Sequence, residues 1–295
     1  MTTIIPIFLA LFFSSGGAAW AESKVPEQNI NVGTLSAAPV VDGSFDDWPQ
    51  QKSQWSLIPV KPALPNDDKN RTGELEVELI GGVFKDKIYF AVSWPDSFAD
   101  VDYRPWKWRG KKYKRTRKRD DMFALRFDLG GDYDSCMLPE KPKTYSVDIW
   151  LWSAGRSNLA GVAEDKSQLI SSEFIENAAE YTSSVGGMVY IKKKSDPGDP
   201  VYKVSRPKRK KFKGKILSGV DLKGEGSGGL VDVSAKGIWK DGRWFVEFSR
   251  KLNTDSSDDV IFPSKGNVIG AIAVFNKGWA EHKSVSGDLR FVFSE

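Results

Sequence analysis

Polar and apolar residues alternate one by one along much of the chain, and this period of two limits the fold before any other feature does. In residues 74–79, three glutamates alternate with three aliphatic residues, so one face of the segment is polar and the other apolar. Residues 85–87 read Lys-Asp-Lys, and residues 88–94 form a second apolar segment. The pattern predicts a β-hairpin whose turn lies at residues 85–87.

Further segments share this period or are rich in β-branched and aromatic residues. We predict strands at residues 122–129, 144–152, 187–191, 231–239, 243–250, 268–275 and 289–293. Between two of them, Asp241-Gly242 supplies the positive φ of a tight hairpin turn. Residues 167–180 carry the one helical pattern. Many short strands with turns between them predict an all-β fold, an antiparallel β-sandwich.

The first residues have the pattern of an export signal. Residues 4–13 are an apolar run broken only by Pro6, and Ala19-Trp20-Ala21 follows after small residues. This predicts a signal peptide over residues 1–21 that is cleaved before Glu22, with an uncleaved anchor as the alternative. The run is shorter than the roughly 20 residues that cross a bilayer, so we expect no stable membrane insertion. Residues 22–295 are then a single periplasmic or secreted domain.

The scarcity of reactive side chains excludes several classes of site. The chain has one cysteine, Cys136, and one histidine, His282. It can therefore form no internal disulfide, no Cys/His zinc cluster and no Cys-x-x-Cys-His haem attachment. No Gly-x-Ser-x-Gly motif is present, and doublets such as Asp120-Asp121 indicate turns rather than acid–base pairs, because adjacent side chains of a strand point to opposite faces. We expect no enzyme activity.

Two segments are strongly basic, although 43 Lys and Arg against 39 Asp and Glu give a net charge of only +4. Residues 104–119 interleave basic side chains with Trp106, Trp108 and Tyr113, and residues 206–215 are similarly basic. Solvated loops are one interpretation, and a docking face for an acidic partner is another. The docking face would consist of Arg109, Lys111, Lys112, Arg115 and Arg117. We do not expect nucleic acid, which a secreted protein rarely meets.

Short motifs follow one another in an order typical of a known family. They lie at residues 41–48, 88–96, 120–125, 147–156, 239–252 and 271–286, and include Asp-Gly-x-x-Asp-x-Trp near the start and Asp-x-Trp-x-Trp in the middle. The first motif resembles the opening of family 9 carbohydrate-binding modules. The whole set, from about Ala38 onward, resembles the haem-binding domain related to the ethylbenzene dehydrogenase γ subunit.

This resemblance implies a jelly-roll or immunoglobulin-like β-sandwich, like that of family 9 carbohydrate-binding modules, with long basic loops. It implies a secreted electron-transfer protein or subunit that holds haem b without a covalent bond. The redox partner would be a molybdenum/iron-sulfur oxidoreductase of the dimethyl sulfoxide reductase class. In this family the axial ligands of the iron are a Met and a Lys.

Site residues follow from the same resemblance. Met137 is the preferred ligand over Met122 and Met188, because it lies in the loop where the family places its haem-contacting segment. Lys283 occupies the Lys-Ser-x-Ser position before the last strand, and His282 beside it is the alternative, since Met/His ligation is common in cytochromes.

Other parts of the site and other functions remain open at this point. Trp150, Trp152 and Arg156 are candidate haem contacts, with a structural ion pair as the alternative for Arg156. A family 9-type carbohydrate-binding module without haem is the second functional interpretation. In it, Asp42, Asp46 and Asp47 would help to hold Ca²⁺, and exposed Trp residues would stack on sugar rings. A scaffold that has lost its ligand is the third.

Overall fold

The computed structural model describes residues 27–64, 66–139, 141–183, 186–207, 210–278 and 282–294. The signal peptide predicted for residues 1–21 lies outside these ranges. Within them the fold is all-β, as predicted, and the only helices are three short 3-10 segments, Lys52–Gln54, Ser157–Ala160 and Gly229–Val231. No helix in the described part of the chain has the length and hydrophobicity to cross a membrane.

The described residues contain 21 strands. In chain order they are β1 (Gln28–Thr34), β2 (Ser56–Pro62), β3 (Leu75–Phe84), β4 (Lys87–Pro95), β5 (Trp106–Trp108), β6 (Tyr113–Arg115), β7 (Met122–Gly131), β8 (Thr144–Ser153), β9 (Glu164–Ser171), β10 (Ala179–Thr182), β11 (Met188–Ser195), β12 (Gly198–Asp199), β13 (Tyr202–Val204), β14 (Ile216–Leu217), β15 (Val220–Leu222), β16 (Ser227–Gly228), β17 (Ser234–Lys240), β18 (Arg243–Lys251), β19 (Gly266–Phe275), β20 (Ser284–Val285) and β21 (Leu289–Phe293).

Fourteen of these strands form one sheet, and six of the fourteen close into a ring. The ring runs β19, β21, β1, β3, β2, β20 and back to β19. β1 is parallel to both of its neighbours, β21 and β3. The predicted antiparallel sandwich is therefore right in class but incomplete in topology, because a period of two shows which face of a strand is buried and not which strands are its neighbours.

Two wings extend from the ring and pack face to face. The first wing runs β7, β8, β9, β11 and β10 outward from β19, and the second runs β4, β18 and β17 outward from β3. Between them, Trp94 stacks on Phe123 with ring centroids 5.1 Å apart, and Trp152 meets Trp244 edge-on at 5.0 Å. Because an aromatic side chain buries on the order of 150–250 Å², this layer supplies much of the hydrophobic stabilisation.

Both predicted hairpins are confirmed. β3 and β4 pair in antiparallel register around a turn in which Lys85 has a φ of 55°. β17 and β18 pair around Asp241 and Gly242, whose φ values are 51° and 79°. Two successive residues with positive φ give the twist that matches the two flanking strands.

The helix predicted over residues 167–180 is wrong. Its first half belongs to β9, which is hydrogen-bonded to β8 on one side and to β11 on the other. Its end belongs to β10 at the edge of the first wing. Pairing along both sides of β9 overrides the local helical pattern, as tertiary context commonly does.

The Asp-Gly-x-x-Asp-x-Trp motif fixes the first loop to the second wing. Trp48 Nε1 donates to Glu247 Oε1 over 2.6 Å, and the backbone N–H groups of Gly43 and Asp42 donate to Glu247 Oε2 over 2.7 and 3.0 Å. Glu247 is fully buried. Gly43 has a φ of 89° and lies against Ile238, so only glycine fits this position without strain. The motif is thus explained by packing.

Glu247 makes the stability of the fold depend on pH. Burial raises its pKa from 4.5 to about 7, although the three donated hydrogen bonds act in the opposite direction. A carboxyl group whose pKa rises on folding stabilises the fold below its unfolded pKa and loses that contribution as the pH rises toward 7. Glutamine does not titrate. We therefore expect the free energy of unfolding of Glu247→Gln, taken relative to that of the wild type, to rise by about 2–3 kcal/mol between pH 4.5 and pH 8.

Urea unfolding at the two pH values measures this difference. Glu76→Gln, at an exposed position of β3, is the matched control. A Glu247→Gln difference that is equally independent of pH would contradict a raised pKa at this site.

Candidate functional site

Two side chains that are far apart in the sequence meet on the outer face of the first wing. Met137 lies in the loop between β7 and β8, and Lys283 directly precedes β20. Lys283 Nζ is 2.7 Å from Met137 Sδ. Both residues are buried, with 9% of Met137 and 7% of Lys283 exposed. The structure thus brings together the two residues that the sequence analysis named as axial ligands.

The closure of the strand ring holds Lys283 in place. β20 pairs with β19 on one side and with β2 on the other. The N–H of Ala63 donates to the Lys283 carbonyl over 2.9 Å, and Ser284 Oγ donates to the Gly73 carbonyl over 2.5 Å. The Lys283 Nζ lies 5.9 Å from the centre of the Phe275 ring. The backbone at Lys283 and directly after it is therefore fixed.

A buried arginine holds the loop that carries Met137. Arg126 points outward from β7, and its Nη1 donates to the carbonyls of Asp134 and Ser135 over 2.8 and 2.9 Å. Its Nη2 donates to the Tyr145 hydroxyl over 3.2 Å, and that hydroxyl donates to the Cys136 carbonyl over 2.7 Å. Three consecutive carbonyls just before Met137 are thus satisfied by one network.

Arg126 was missed by the sequence analysis, although its signal was present. It is the one charged residue within the apolar sequence Met-Phe-Ala-Leu-Arg-Phe of residues 122–127. A charge inside a buried strand needs dedicated partners, and these are the loop carbonyls and Tyr145.

The surroundings of the Met137 thioether are mostly apolar. Met137 packs in a cluster with Tyr145, Val147, Ile170, Val189 and Ile191. A thioether and a neutral amine are both donors that haem iron accepts. The donor set therefore fits a haem iron.

Three other candidate ligands have different partners. His282 Nδ1 lies 2.9 Å from Asp67 Oδ2, which gives this histidine a carboxylate partner away from Met137. Met122 Sδ accepts a hydrogen bond from Arg156 Nη2 over 2.7 Å. Met188 lies at the start of β11 and is 42% exposed. His282 and Met122 therefore have partners of their own, and Met137 and Lys283 remain the predicted ligands.

Trp150 and Trp152 point to the opposite face of β8 from Tyr145 and Val147. Both are fully buried in the layer between the wings, where Trp150 contacts Phe127 at 5.2 Å between ring centroids. Side chains alternate along a strand, so residues 150 and 152 cannot share a face with residue 145. Their placement supports a role in the core and not contact with a group at Met137 and Lys283.

Arg156 forms a structural ion pair. Its Nε lies 3.0 Å from Asp120 Oδ2, and its guanidinium stacks on Tyr103 at 4.5 Å from the ring centre. The neighbouring Asp121 accepts hydrogen bonds from the N–H groups of Asp100 and Lys277. The Asp120-Asp121 doublet, interpreted above as a turn, is a pair of buried acceptors that join loops together.

The two basic segments fold into one unit. β5 and β6 form a hairpin that carries Arg109, Lys111, Lys112, Arg115 and Arg117, and β14 pairs with β5. Trp108 contacts Phe212 with ring centroids 5.4 Å apart, and Tyr113 OH donates to the Gly214 carbonyl over 2.7 Å. Four of the five predicted docking residues are exposed, and Arg115 is half-buried. We call this hairpin, together with residues 210–217, the basic platform.

The loop proposed for Ca²⁺ in the carbohydrate-binding interpretation uses its carboxylates internally. Asp42 Oδ1 accepts from the Ser44 N–H, and Asp47 Oδ2 accepts from the Val40 N–H. Asp46 is exposed. Among the described tryptophans, none is fully exposed on the surface. In the described residues, Asp42 and Asp47 thus accept hydrogen bonds from within their own loop, and the tryptophans are buried or half-buried.

Comparison with known proteins gives one result. A family model described as ethylbenzene dehydrogenase matches residues 46–286, a range that includes both Met137 and Lys283. No curated protein matches the chain.

The Arg126 network generates a prediction about the Met137 loop. Arg126→Met should lower the free energy of unfolding by about 2–4 kcal/mol, because buried carbonyls lose their donor. Hydrogen exchange should become faster at the amides of residues 132–139, while the β-sheet circular dichroism is retained. Arg290→Met, which removes a partly exposed ion pair with Glu27, is the control. Unchanged exchange in the loop would show that Arg126 does not position it.

Proposed function

The chain belongs to the ethylbenzene dehydrogenase family, and on that premise we propose that it binds b-type haem and relays electrons for a redox enzyme. Met137 and Lys283 would hold the iron, and no covalent attachment is needed. The observation that carries the proposal is the 2.7 Å approach of the Lys283 amine to the Met137 thioether in a buried setting.

The two side chains contribute different chemistry. Haem iron with two protein ligands supplies one-electron transfer. The thioether of Met137 would be a soft, neutral donor to the iron, and Lys283 would bind through its neutral amine. Arg126 holds the loop before Met137, and the pairing of β20 fixes the backbone after Lys283. The protein would thus position the haem, exclude water from it and tune the redox properties of the iron.

The proposed partner is a molybdenum oxidoreductase of the dimethyl sulfoxide reductase class, and this chain would be its non-catalytic, periplasmic or secreted subunit. A contiguous set of contacts runs to the site from Tyr103, which lies just before the basic platform in the chain. Arg156 lies on Tyr103 and donates to Met122, Met122 is opposite Phe275 in the β7–β19 pair, and Phe275 faces Lys283. An acidic partner docked on the platform would therefore lie beside the route to the iron.

The haem proposal predicts a specific absorption spectrum for the wild type and states which substitutions should change it. Protein from a haem-replete host should show a Soret band and a six-coordinate low-spin spectrum. Met137→Ala and Lys283→Ala should each convert it to a high-spin spectrum, because one axial bond is lost while the porphyrin stays buried. His282→Ala should leave the spectrum unchanged, because this histidine is paired with Asp67.

Two surface changes serve as controls for these variants. Met188→Ala and Lys265→Ala remove exposed side chains of the same chemistry, and neither should alter the spectrum. An essential His282 with a dispensable Lys283 would change the assignment to Met/His. A colourless wild-type protein, or three variants without effect, would overturn the proposed site.

The basic platform predicts faster reaction with anions. Oxidation of the reduced protein by ferricyanide should slow by about tenfold as ionic strength rises from about 0.01 to 0.15 M, because the Debye length falls from about 30 to 8 Å. Reversing Arg109, Lys111 and Lys112 to Glu should remove most of this dependence. Reversing Lys85, Lys87 and Lys251, three exposed lysines on the second wing, is the matched control. Equal effects of the two triple variants would contradict a role for the platform.

A further inference from the structure

A second cluster of charges lies at the other end of the first wing and has no part in the proposed function. Its centre is Arg250 of β18, which is 1% exposed and lies against Trp150 at 4.7 Å from the ring centre. Arg250 Nη1 donates to Asp148 Oδ2 over 2.9 Å and to Asp165 Oδ2 over 3.0 Å. It also lies 3.5 Å from Asp259 Oδ1. The guanidinium therefore already occupies the space between these three carboxylates.

A neighbouring group of carboxylates is arranged differently. Asp196, Asp258 and Asp259 each place an oxygen within 4.8 Å of the other two. Asp196 directly follows β11 of the first wing, and the other two lie in the loop after β18 of the second wing. The side chain of Asp258 is 14% exposed, which leaves a path from solvent.

Asp196 is the residue that hydrogen bonding does not explain. It is only 4% exposed, and among the described residues none donates a hydrogen bond to either of its carboxylate oxygens. The other two have partners, since Lys194 and Ser256 donate to Asp258, and Thr254 donates to Asp259. A buried carboxylate without a donor is costly unless something else compensates it.

The local charge balance leads to the same conclusion. Asp148, Asp165, Asp196 and Asp259 are all buried, and Arg250 is the one buried cation that contacts this group in the described residues. Four ionised carboxylates and one guanidinium would give a formal charge of −4 + 1 = −3, and burial raises the pKa of Asp148, Asp165 and Asp196. A divalent cation beside Asp196 would reduce this excess and would supply the partner that its oxygens lack.

We propose that Asp196, Asp258 and Asp259 hold a Ca²⁺ ion that links the two wings of the sheet. The ligands are all oxygens, which excludes the nitrogen and sulfur sets preferred by zinc and copper. Ca²⁺ accepts six to eight oxygens in irregular arrangements, whereas Mg²⁺ demands a near-ideal octahedron. The exposed Lys194, whose Nζ is 2.6 Å from Asp258 Oδ2, is the competing cation for one of the ligands.

Calcium titration of chelator-treated protein tests this proposal. Isothermal titration with CaCl₂ should show one site, and a hundredfold excess of Ca²⁺ over its Kd should raise the Tm by roughly 5–10 °C. Asp196→Asn should weaken binding by at least tenfold. Lys194→Met should strengthen binding, because it removes the competing cation. Asp221→Asn, at an exposed position of β15, is the control and should bind like the wild type.

The alternative is a cluster neutralised by protons, and it predicts the opposite results. Ca²⁺ would then leave the Tm unchanged, and Asp196→Asn would raise the Tm equally in calcium and in EDTA. Either result overturns the proposal, as does an equal response to Mg²⁺. Because Met137→Ala protein should keep the full calcium response, failure of this site and failure of the haem site are distinguishable.

Discussion

The aromatic contact between the two wings determines where everything else in the molecule lies. Once Phe123 and Phe127 of β7 and Trp150 of β8 are buried against the second wing, the alternate residues of both strands must face outward. Arg126 and Tyr145 are among those outward residues. The site around Met137 is therefore formed by the side chains that face outward once the others are buried in the core.

The ring of six strands then positions Lys283, which the face-to-face packing of the wings does not. The site has one donor on a loop of the first wing and the other directly before β20, and the sequence separates them by 146 residues. β20 is only two residues long, but it is hydrogen-bonded to strands on both sides. A short strand paired twice is a rigid support, so the position of the lysine does not depend on a flexible loop.

The sequence allowed most of the long core strands to be predicted, but not β1, β2 or β9, and not which strands are neighbours. Residues 289–293 were predicted as a strand and form β21, because alternation is a local signal. The parallel pairing of β1 with β21 and β3 involves contacts between distant residues, for which local periodicity carries no information. Met137 and Lys283 came from a resemblance in motif order, whereas Arg126 and Asp196 needed the coordinates, because what distinguishes them is which partners surround them.

The position of β1 has a consequence for how the chain reaches its native state. Gln28 pairs with Leu289, so the strand that completes the ring joins residues more than 250 positions apart. Contacts of such large separation carry the highest loop-closure entropy and slow the folding of β-rich proteins. The ring cannot close until β1 meets β21, and until then the edges of β3 and β21 are unprotected templates for mispairing. A chaperone would therefore be most useful to this protein while these two strands are still unpaired.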